Sequence, residues 1–425
     1  MTRQVLISGG GIGGLAAALS ASRAGWDVRL YERAPAFSEV GAGVQLGPNV
    51  VRLLRGWGLK DALARVAAFP SRLQVRDAVS GRELGVLPLG QQMLQKYGAP
   101  YATIHRADLH ALLLQAVQAR DKVWLKLNSC VANYADSGRE VTLKTEAMAV
   151  SRAGEVPGVR PLLSASLLEV EGDALIGADG LWSRVRQLML NDAPPRVTGH
   201  LAYRAMLPQT SLPERLRSQQ VTVWLGPSLH VVHYPVRGGE WLNVVAIVQG
   251  QVAGDLQNWD HSANGADLQA STRLTAVMLR DLIQAVTDGG NKTGPTWRLW
   301  ALCDRPPMSG AHHQARGRVA LLGDAAHPMR PYLAQGAGMA IEDAAELGSA
   351  LAQALDPSLD VPTVLQRYAL NRWQRNARVQ ARSERNGQIF HAEGPLRWAR
   401  DASMKLLGEK LLDMPWLYGE SRRTL

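Results

Sequence analysis

The sequence predicts an α/β protein in which a Rossmann-like dinucleotide-binding domain is interrupted by a β-sheet segment and followed by C-terminal helices. Three observations predict this fold class. Residues 4–31 have the pattern of a strand, a glycine turn, a helix and a second strand. Residues 201–248 contain short apolar runs between Gly and Pro turns, which is typical of a β-sheet. Helical patterns return in residues 338–355 and 361–388.

The chain has 425 residues, more than a single hydrophobic core usually serves, so we expect two cooperating lobes. The β-rich segment is suited to form the wall of a substrate pocket. We predict a cofactor-binding domain made of residues 1–75, 101–190 and 301–360, a substrate domain made of residues 76–100 and 191–300, and a C-terminal helical region, residues 361–425.

Composition excludes several classes of protein. The two cysteines, Cys130 and Cys303, lie far apart, which argues against a disulfide framework or a thiolate metal site and favours the cytoplasm. No apolar run is long enough to span a membrane. The net charge of +10 comes from scattered arginines rather than a basic block, so we expect no nucleic-acid partner. A net positive field favours the approach of an anionic substrate.

The first element is a βαβ unit. Gln4 to Ser8 is predicted to be a buried strand, and a helix is predicted from about Leu15 to Ala24, with Gly25 closing it. A second strand is predicted from Asp27 to Tyr31. This order is that of the first half of a dinucleotide-binding fold.

The turn inside this unit has the GxGxxG spacing. Gly9, Gly11 and Gly14 occupy its glycine positions, and Glu32 follows the second strand. Such glycines allow a tight turn and a close approach of pyrophosphate to the helix N-terminus, while an acidic residue accepts hydrogen bonds from ribose hydroxyls. The alternative is a structural glycine turn that binds no nucleotide.

Two further motifs follow in the chain. In the segment LIGADGLWSRVR a strand ends at Asp179 and Gly180. Alone, this motif predicts only a strand-to-helix turn capped by the aspartate. In the segment RVALLGDAAHPMRPYLAQGAG a buried strand ends at Asp324, whose carboxylate can hold a ribityl hydroxyl. The backbone N–H groups of Gly336 to Gly338 can face an electron-rich acceptor.

Together, in this order, the three motifs resemble the aromatic-ring hydroxylase family of FAD monooxygenases, in particular 3-hydroxybenzoate 6-hydroxylases and salicylate hydroxylases. The resemblance covers nearly the whole chain. It implies a glutathione-reductase-like domain with tightly bound, non-covalent FAD, together with O2 and a small aromatic acid as substrates. Because only one GxGxxG occurs, NADH or NADPH is expected to bind transiently. The cofactor-binding residues that the resemblance implies are Gly9, Gly11, Ile12, Gly13, Gly14, Glu32, Arg33, Gly43, Val44, Gln45, Arg106, Asp179, Gly180, Asp324, Gly336, Ala337, Gly338 and Met339. The alternative for Arg106 is a surface arginine.

Candidate catalytic residues occur in the segment SLHVVHYPVRGG. Alternation along a strand places His230, Val232 and Tyr234 on one face and His233 on the other. A histidine, with a pKa of ~6.5, can take a phenol proton near neutral pH, and a tyrosine hydroxyl can hold a carboxylate or phenolate oxygen. The alternative is a histidine and a tyrosine with only structural roles, and His233 is the competing candidate.

The resemblance assigns roles in this site. It implies that His230 is the base, that Tyr234 and Gln335 bind substrate, and that the carbonyl near Pro328 faces the flavin C4a-hydroperoxide that carries the oxygen. Tyr332 is expected to close the pocket, with Val232 and His233 as further substrate-binding candidates. A metal site is not expected, because no acid or cysteine completes the set His312, His313 and His327.

The leading functional prediction is NADH-dependent para-hydroxylation of 3-hydroxybenzoate to gentisate. The alternatives are salicylate 1-hydroxylase, which gives catechol and CO2, and a hydroxylase of 6-hydroxynicotinate type. Alternatives from other functional classes are a flavin dehydrogenase or reductase that does not use O2 for oxygenation, and a catalytically silent FAD-binding partner protein. The C-terminal tail either covers the substrate lobe or forms a homodimer contact.

Overall fold

The computed structural model describes residues 3–37, 42–147, 167–252, 254–257, 261–262, 265–289, 297–356 and 358–419. The strands within these ranges are, in chain order, β1 (Gln4–Ser8), β2 (Asp27–Tyr31), β3 (Gly43–Leu46), β4 (Arg72–Asp77), β5 (Glu83–Pro88), β6 (Ala102–His105), β7 (Val123–Lys126), β8 (Ser129–Asp136), β9 (Val141–Ala147), β10 (Leu167–Gly172), β11 (Ala174–Gly177), β12 (Arg196–Pro208), β13 (Val221–Gly226), β14 (Leu229–Val236), β15 (Trp241–Gln249), β16 (His261–Ser262), β17 (Arg298–Asp304), β18 (Ala315–Arg316) and β19 (Val319–Leu321).

The α-helices in the same part of the chain are α1 (Ile12–Arg23), α2 (Pro48–Gly56), α3 (Lys60–Val66), α4 (Gly90–Tyr97), α5 (Arg106–Gln118), α6 (Arg184–Leu190), α7 (Gly265–Thr272), α8 (Val277–Asp288), α9 (Gly336–Gln353), α10 (Val361–Phe390), α11 (Gly394–Leu407), α12 (Glu409–Leu412) and α13 (Pro415–Tyr418).

A six-stranded sheet forms the centre of the first lobe, with the order β18-β19-β11-β1-β2-β7. β1 pairs in parallel with β2 and β11, and Ser8 is level with both Tyr31 and Gly177. Because the carboxyl ends of parallel strands meet at one edge, the residues that follow these three strands lie close together. The α/β fold class is therefore confirmed, and the predicted motifs share this edge.

An eight-stranded sheet, with the order β16-β17-β12-β15-β14-β13-β4-β5, forms the second lobe. Its pairs are antiparallel except for β13 with β4. β4 and β5 reach this sheet from early in the chain and complete one of its edges. β14 lies between β13 and β15, where both of its neighbours fix the direction of its side chains.

The predicted first strand and second strand are confirmed, but the helix between them begins earlier than predicted. It starts at Ile12 instead of about Leu15, with Gly11 at its N-cap. The glycine turn passes directly into the helix, because Gly9 already reverses the chain with φ of +101°. The N–H groups of the first helical turn therefore lie at the end of β1.

Helices α9 and α10 are joined by buried ion pairs. The Arg372 guanidinium donates to Asp343 at 2.7 Å and to Glu342 at 2.8 Å. Asp343 also pairs with the imidazole of His327 at 2.5 Å. This network fixes the two helices beneath the loop that follows β19.

The C-terminal helices cover the substrate lobe, which is the first of the two predicted roles for the tail. Met404 of α11 packs in one apolar cluster with Val75, Leu84 and Leu225 of the large sheet. The homodimer stays a prediction. Among the described helices, none combines the length and the apolar character that crossing a bilayer requires.

Candidate active site

The glycine turn leaves space for a ligand above α1. A Cβ atom at Gly9 would lie 2.4 Å from the carbonyl oxygen of Ala178, and one at Gly14 would lie 1.9 Å from the carbonyl oxygen of Gly9. A Cβ atom at Gly11, by contrast, would have no heavy atom within 4 Å. Gly9 and Gly14 are therefore required by close backbone packing, while the open space at Gly11 faces the helix N-terminus, where a phosphate fits.

The next two residues of the turn anchor the helix. Ile12 is buried, and Gly13 packs against the strand that leads to Asp324, since a Cβ atom there would lie 2.8 Å from Leu322. Ile12 and Gly13 therefore hold the turn at the sheet edge, and neither residue lines the cleft beside Gly11.

Glu32 and Arg33 line a cleft beside this turn. One oxygen of Glu32 accepts a hydrogen bond from Gly10 N–H at 2.6 Å and the other accepts one from Ala34 N–H at 2.8 Å. The cleft has a volume of about 220 Å³. The predicted residues that line it are Gly9, Gly11, Glu32, Arg33, Asp179 and Gly180. The structure thus brings the first two motifs to one site.

Asp179 caps a helix within this cleft. Its carboxylate accepts hydrogen bonds from the N–H groups of Arg184 at 2.8 Å and Val185 at 3.1 Å, and from the Ser183 hydroxyl at 2.5 Å. Burial raises its pKa, and these hydrogen bonds oppose that effect. The capping that the motif alone predicts is therefore present. The chain turns away from β11 at the neighbouring Gly180, whose φ is +79°.

Asp324 lies at the far end of the sheet edge, in a short 3₁₀ turn, and is exposed. A Cβ atom at Gly336 would lie 3.9 Å from its Oδ1, so the carboxylate faces the first turn of α9. Gly338 packs closely on Val50 of α2, Ala337 is half-buried, and Met339 is fully buried.

Gln335, immediately before α9, is buried, and its Oε1 has no hydrogen-bond partner among the described residues. An unpaired buried oxygen is costly unless a ligand supplies a donor. This atom, the open space at Gly11 and the exposed Asp324 all fit a bound FAD.

The loop that the resemblance places beside the flavin ring is β3. Gly43 N–H donates to Asn243 Oδ1 at 2.7 Å, and a Cβ atom at Gly43 would lie 2.5 Å from the ring of Tyr234. Gln45 accepts a hydrogen bond from the Tyr101 hydroxyl at 2.6 Å. Val44 is half-buried and packs on the core of the first lobe. The structure therefore joins β3 to β14.

A pocket of about 540 Å³ lies between the large sheet, the turn before α9 and the C-terminal helices. The predicted residues that line it are Gln45, His230, Val232 and Tyr332. The alternation along β14 is confirmed, because Val231 packs in a separate cluster on the other face of the sheet. His233 does not line this pocket, and neither do Gln335, Pro328 and Tyr234.

His230 is held by aromatic neighbours. Its Nδ1 lies 2.7 Å from Nε2 of His391, and its ring centroid lies 5.0 Å from that of Tyr332 and 5.4 Å from that of Phe390. Burial, with His391 and His200 close by, lowers the pKa of His230 well below its ordinary value. The imidazole is therefore neutral at neutral pH and has one acceptor nitrogen, and the same lowered pKa makes it a weaker base than an exposed histidine.

Pro328 and Arg106 lie at the border of the two lobes. The carbonyl oxygen of Pro328 accepts a hydrogen bond from Gln380 at 3.1 Å and retains a second lone pair. Arg106 begins α5, and its N–H donates to Ala42 at 2.7 Å. Burial, together with the positive charge of Arg106, lowers the pKa of Arg204 in β12.

Sequence reasoning missed Arg204, His200 and His391. Arg204 lies over the ring of Trp300 at 3.7 Å, and burial lowers its pKa to about 9. A charged residue inside an apolar strand run was the available signal. His391 directly follows a long helix far along the chain from His230, and no local pattern indicates their contact.

No group of three or more His, Cys, Asp or Glu side chains suited to hold a metal ion occurs in the described part of the chain. His327, which the sequence places near two other histidines, is instead paired with Asp343.

Comparisons with known proteins agree with this geometry. The FAD binding domain family matches residues 2–194 and 308–383. The 3-hydroxybenzoate 6-hydroxylase of Polaromonas naphthalenivorans is 36% identical over 418 residues, covering 98% of this chain and 95% of that protein. The 3-hydroxybenzoate 6-hydroxylase 1 of Aquipseudomonas alcaligenes is 36% identical over 425 residues, covering 99% and 98%. A crystal structure of Klebsiella pneumoniae HpxO complexed with FAD and uric acid superposes with a TM-score of 0.79 at 25% identity, covering 96% of this chain and 94% of that one. The chain therefore belongs to the FAD-dependent aromatic-ring hydroxylases, the family that its three motifs predicted.

Proposed function

We propose that the protein hydroxylates 3-hydroxybenzoate at the carbon para to its hydroxyl group, giving gentisate and consuming NADH and O2. The observation that carries this proposal is the position of His230, a buried neutral imidazole whose ring lines a mostly apolar pocket. Relatives named 3-hydroxybenzoate 6-hydroxylase that match nearly the whole chain support the choice of ring and position.

Each residue of the pocket has a task in this proposal. His230 accepts the phenol proton, because the phenolate ring is more electron-rich and is attacked more readily by an electrophilic oxygen. Gln45, which lines the pocket and accepts a hydrogen bond from the Tyr101 hydroxyl, orients a carboxylate or phenolate oxygen, and Tyr234 supports this end of the pocket from behind through its contact with Gly43. Tyr332 closes the pocket beside His230 and excludes water. Arg385 at the pocket wall adds positive charge that favours a carboxylate.

FAD is proposed to bind along the sheet edge, with its pyrophosphate at the N-terminus of α1, its ribose near Glu32 and its ribityl chain near Asp324. The free oxygen of Gln335 then faces the flavin or the substrate, near the carbonyl of Pro328. When bound, FAD takes a hydride from transiently bound NADH and activates O2. The chain itself supplies binding, orientation and the proton acceptor.

Purified protein tests this function. FAD is quantified by its absorbance, and aerobic NADH oxidation is followed with 3-hydroxybenzoate, salicylate or 6-hydroxynicotinate, with products identified by mass. Gentisate supports the proposal, whereas catechol from salicylate or a hydroxylated 6-hydroxynicotinate as the main product replaces it with the corresponding alternative. Substrate oxidation that proceeds without O2 would indicate a dehydrogenase, and bound FAD without substrate-stimulated NADH oxidation would indicate a silent partner protein.

A further inference from the structure

His391 lies against the candidate base but comes from a distant part of the chain. It is the residue directly after α10 and is 8% exposed. Its Nε2 lies 2.7 Å from His230 Nδ1, and the two ring centroids are 5.0 Å apart. Two buried imidazoles in hydrogen-bond contact share one proton between the facing nitrogens.

The location of that shared proton decides whether His230 can act as a base. If Nδ1 of His230 carries the proton and donates it to His391, then Nε2 of His230 is a free acceptor. If His391 donates instead, Nε2 of His230 carries a hydrogen and cannot accept the phenol proton. A neutral histidine has one donor and one acceptor nitrogen, so its partner selects the tautomer.

The groups around His391 keep its ring neutral, so that one of its two nitrogens is an acceptor. His200 of β12 lies with its ring centroid 4.8 Å away, and its Nδ1 contacts the Tyr332 hydroxyl at 2.5 Å. Burial, followed by His200 and the positive charges of Arg400 and Arg330, lowers the pKa of His391 to about 3. His230 and Tyr332 complete the set of titratable groups that face it.

We propose that His391 is a positioning residue that holds His230 in the tautomer with a hydrogen on Nδ1, and that it shares the positive charge when His230 takes the phenol proton. In this step the phenol O–H bond breaks and an N–H bond forms at His230 Nε2. The Nδ1 proton moves toward His391 Nε2, so the substrate becomes a phenolate and the histidine pair carries one positive charge. The inference rests on the proposed function.

The test measures ionisation of the bound substrate without turnover. Oxidised holoenzyme without NADH is titrated with 3-hydroxybenzoate, with flavin absorbance reporting binding and ultraviolet absorbance reporting phenolate, over a range of pH. His391→Phe keeps a ring but removes the acceptor, so we expect bound phenolate to appear about one pH unit higher than in wild type, a tenfold change in the ionisation equilibrium.

His391→Gln is the second variant. Its amide oxygen accepts from Nδ1–H but cannot take a proton, so its phenolate curve should lie between those of wild type and His391→Phe. The matched control is His313→Phe, a half-buried histidine outside the pocket, which should follow wild type.

A phenolate curve of His391→Phe that coincides with wild type would overturn the role of His391. If His391→Phe fails to retain FAD, a phenolate curve of His391→Gln that coincides with wild type overturns the role of His391 instead. A wild-type protein whose flavin absorbance is unchanged by 3-hydroxybenzoate contradicts the proposed function instead. The same titrations are then carried out with the hydroxylated acid that the enzyme does bind.

Discussion

His230 and His233 lie three positions apart on β14, yet they lie on opposite faces of the eight-stranded sheet. His230 lines the pocket beside Tyr332, while His233 is buried away from it, opposite Thr222 and Val244 on the flanking strands. Because side chains of a strand alternate between its two faces, residues three positions apart lie on opposite faces. This alternation distinguishes the proposed base, His230, from His233, a histidine of similar burial.

The first prediction concerns these two histidines. His230→Gln should lower the rate of product formation by about 10²–10⁴-fold, the usual contribution of a general base. NADH oxidation should continue with peroxide as the product, since the substitution leaves the residues proposed to bind FAD unchanged. The ratio of hydroxylated product to NADH consumed measures this. His233→Phe is the comparison and should couple NADH oxidation to hydroxylation as wild type does; equal losses in both variants would contradict the assignment.

The second prediction separates packing from cofactor binding in the glycine turn. Gly14→Ala places a Cβ atom 1.9 Å from the Gly9 carbonyl oxygen, so the protein should lose both stability and FAD. Gly11→Ala meets no protein atom within 4 Å, so the apoprotein should melt at the wild-type temperature while FAD affinity falls. Thermal unfolding of the apoprotein and FAD titration measure the two effects. Unchanged FAD affinity in Gly11→Ala would show that phosphate does not bind there.

The third prediction is a loss of stability in mild acid. Burial and the charge of Arg76 lower the pKa of His233 to about 4, compared with ~6.5 in an unfolded chain. The unfolded state therefore binds the proton more readily, so this contribution is complete above pH ~6.5 and is lost as pH falls toward 4. At pH 5 the loss is about 2 kcal/mol for this residue.

Urea unfolding at pH 8 and pH 5 measures that loss in wild type and in His233→Phe. The variant should lose about 2 kcal/mol less between the two pH values. An identical loss in both proteins would mean that His233 is not a neutral buried group.

The fourth prediction concerns the ion pairs between α9 and α10. Arg372→Met leaves the buried carboxylates of Asp343 and Glu342 with one partner fewer, which should destabilise the protein by about 3–5 kcal/mol. Lys144→Met, which removes an exposed pair with Glu169, should cost less than about 1 kcal/mol. Denaturant unfolding compares the two, and similar small losses would show that the network contributes little.

The sequence by itself determined the features that depend on neighbouring residues. The strands β1 and β2 have the predicted bounds, and β13 and β14 lie within the predicted β-rich segment, residues 201–248. Gly9 and Gly14 could be recognised because a tight turn between a strand and a helix restricts backbone geometry locally. The alternation of β14 was also readable, since side chains of a strand point to alternating faces whatever surrounds them.

Only the tertiary structure decided which residues meet. His391 lies 161 positions from His230, and Arg204 is stacked on Trp300 across paired strands. The placement of Gln335 outside the pocket likewise depends on how the turn before α9 packs at the sheet edge. Such contacts are set by the packing of whole elements against one another, and no short segment of the sequence contains the information about both partners.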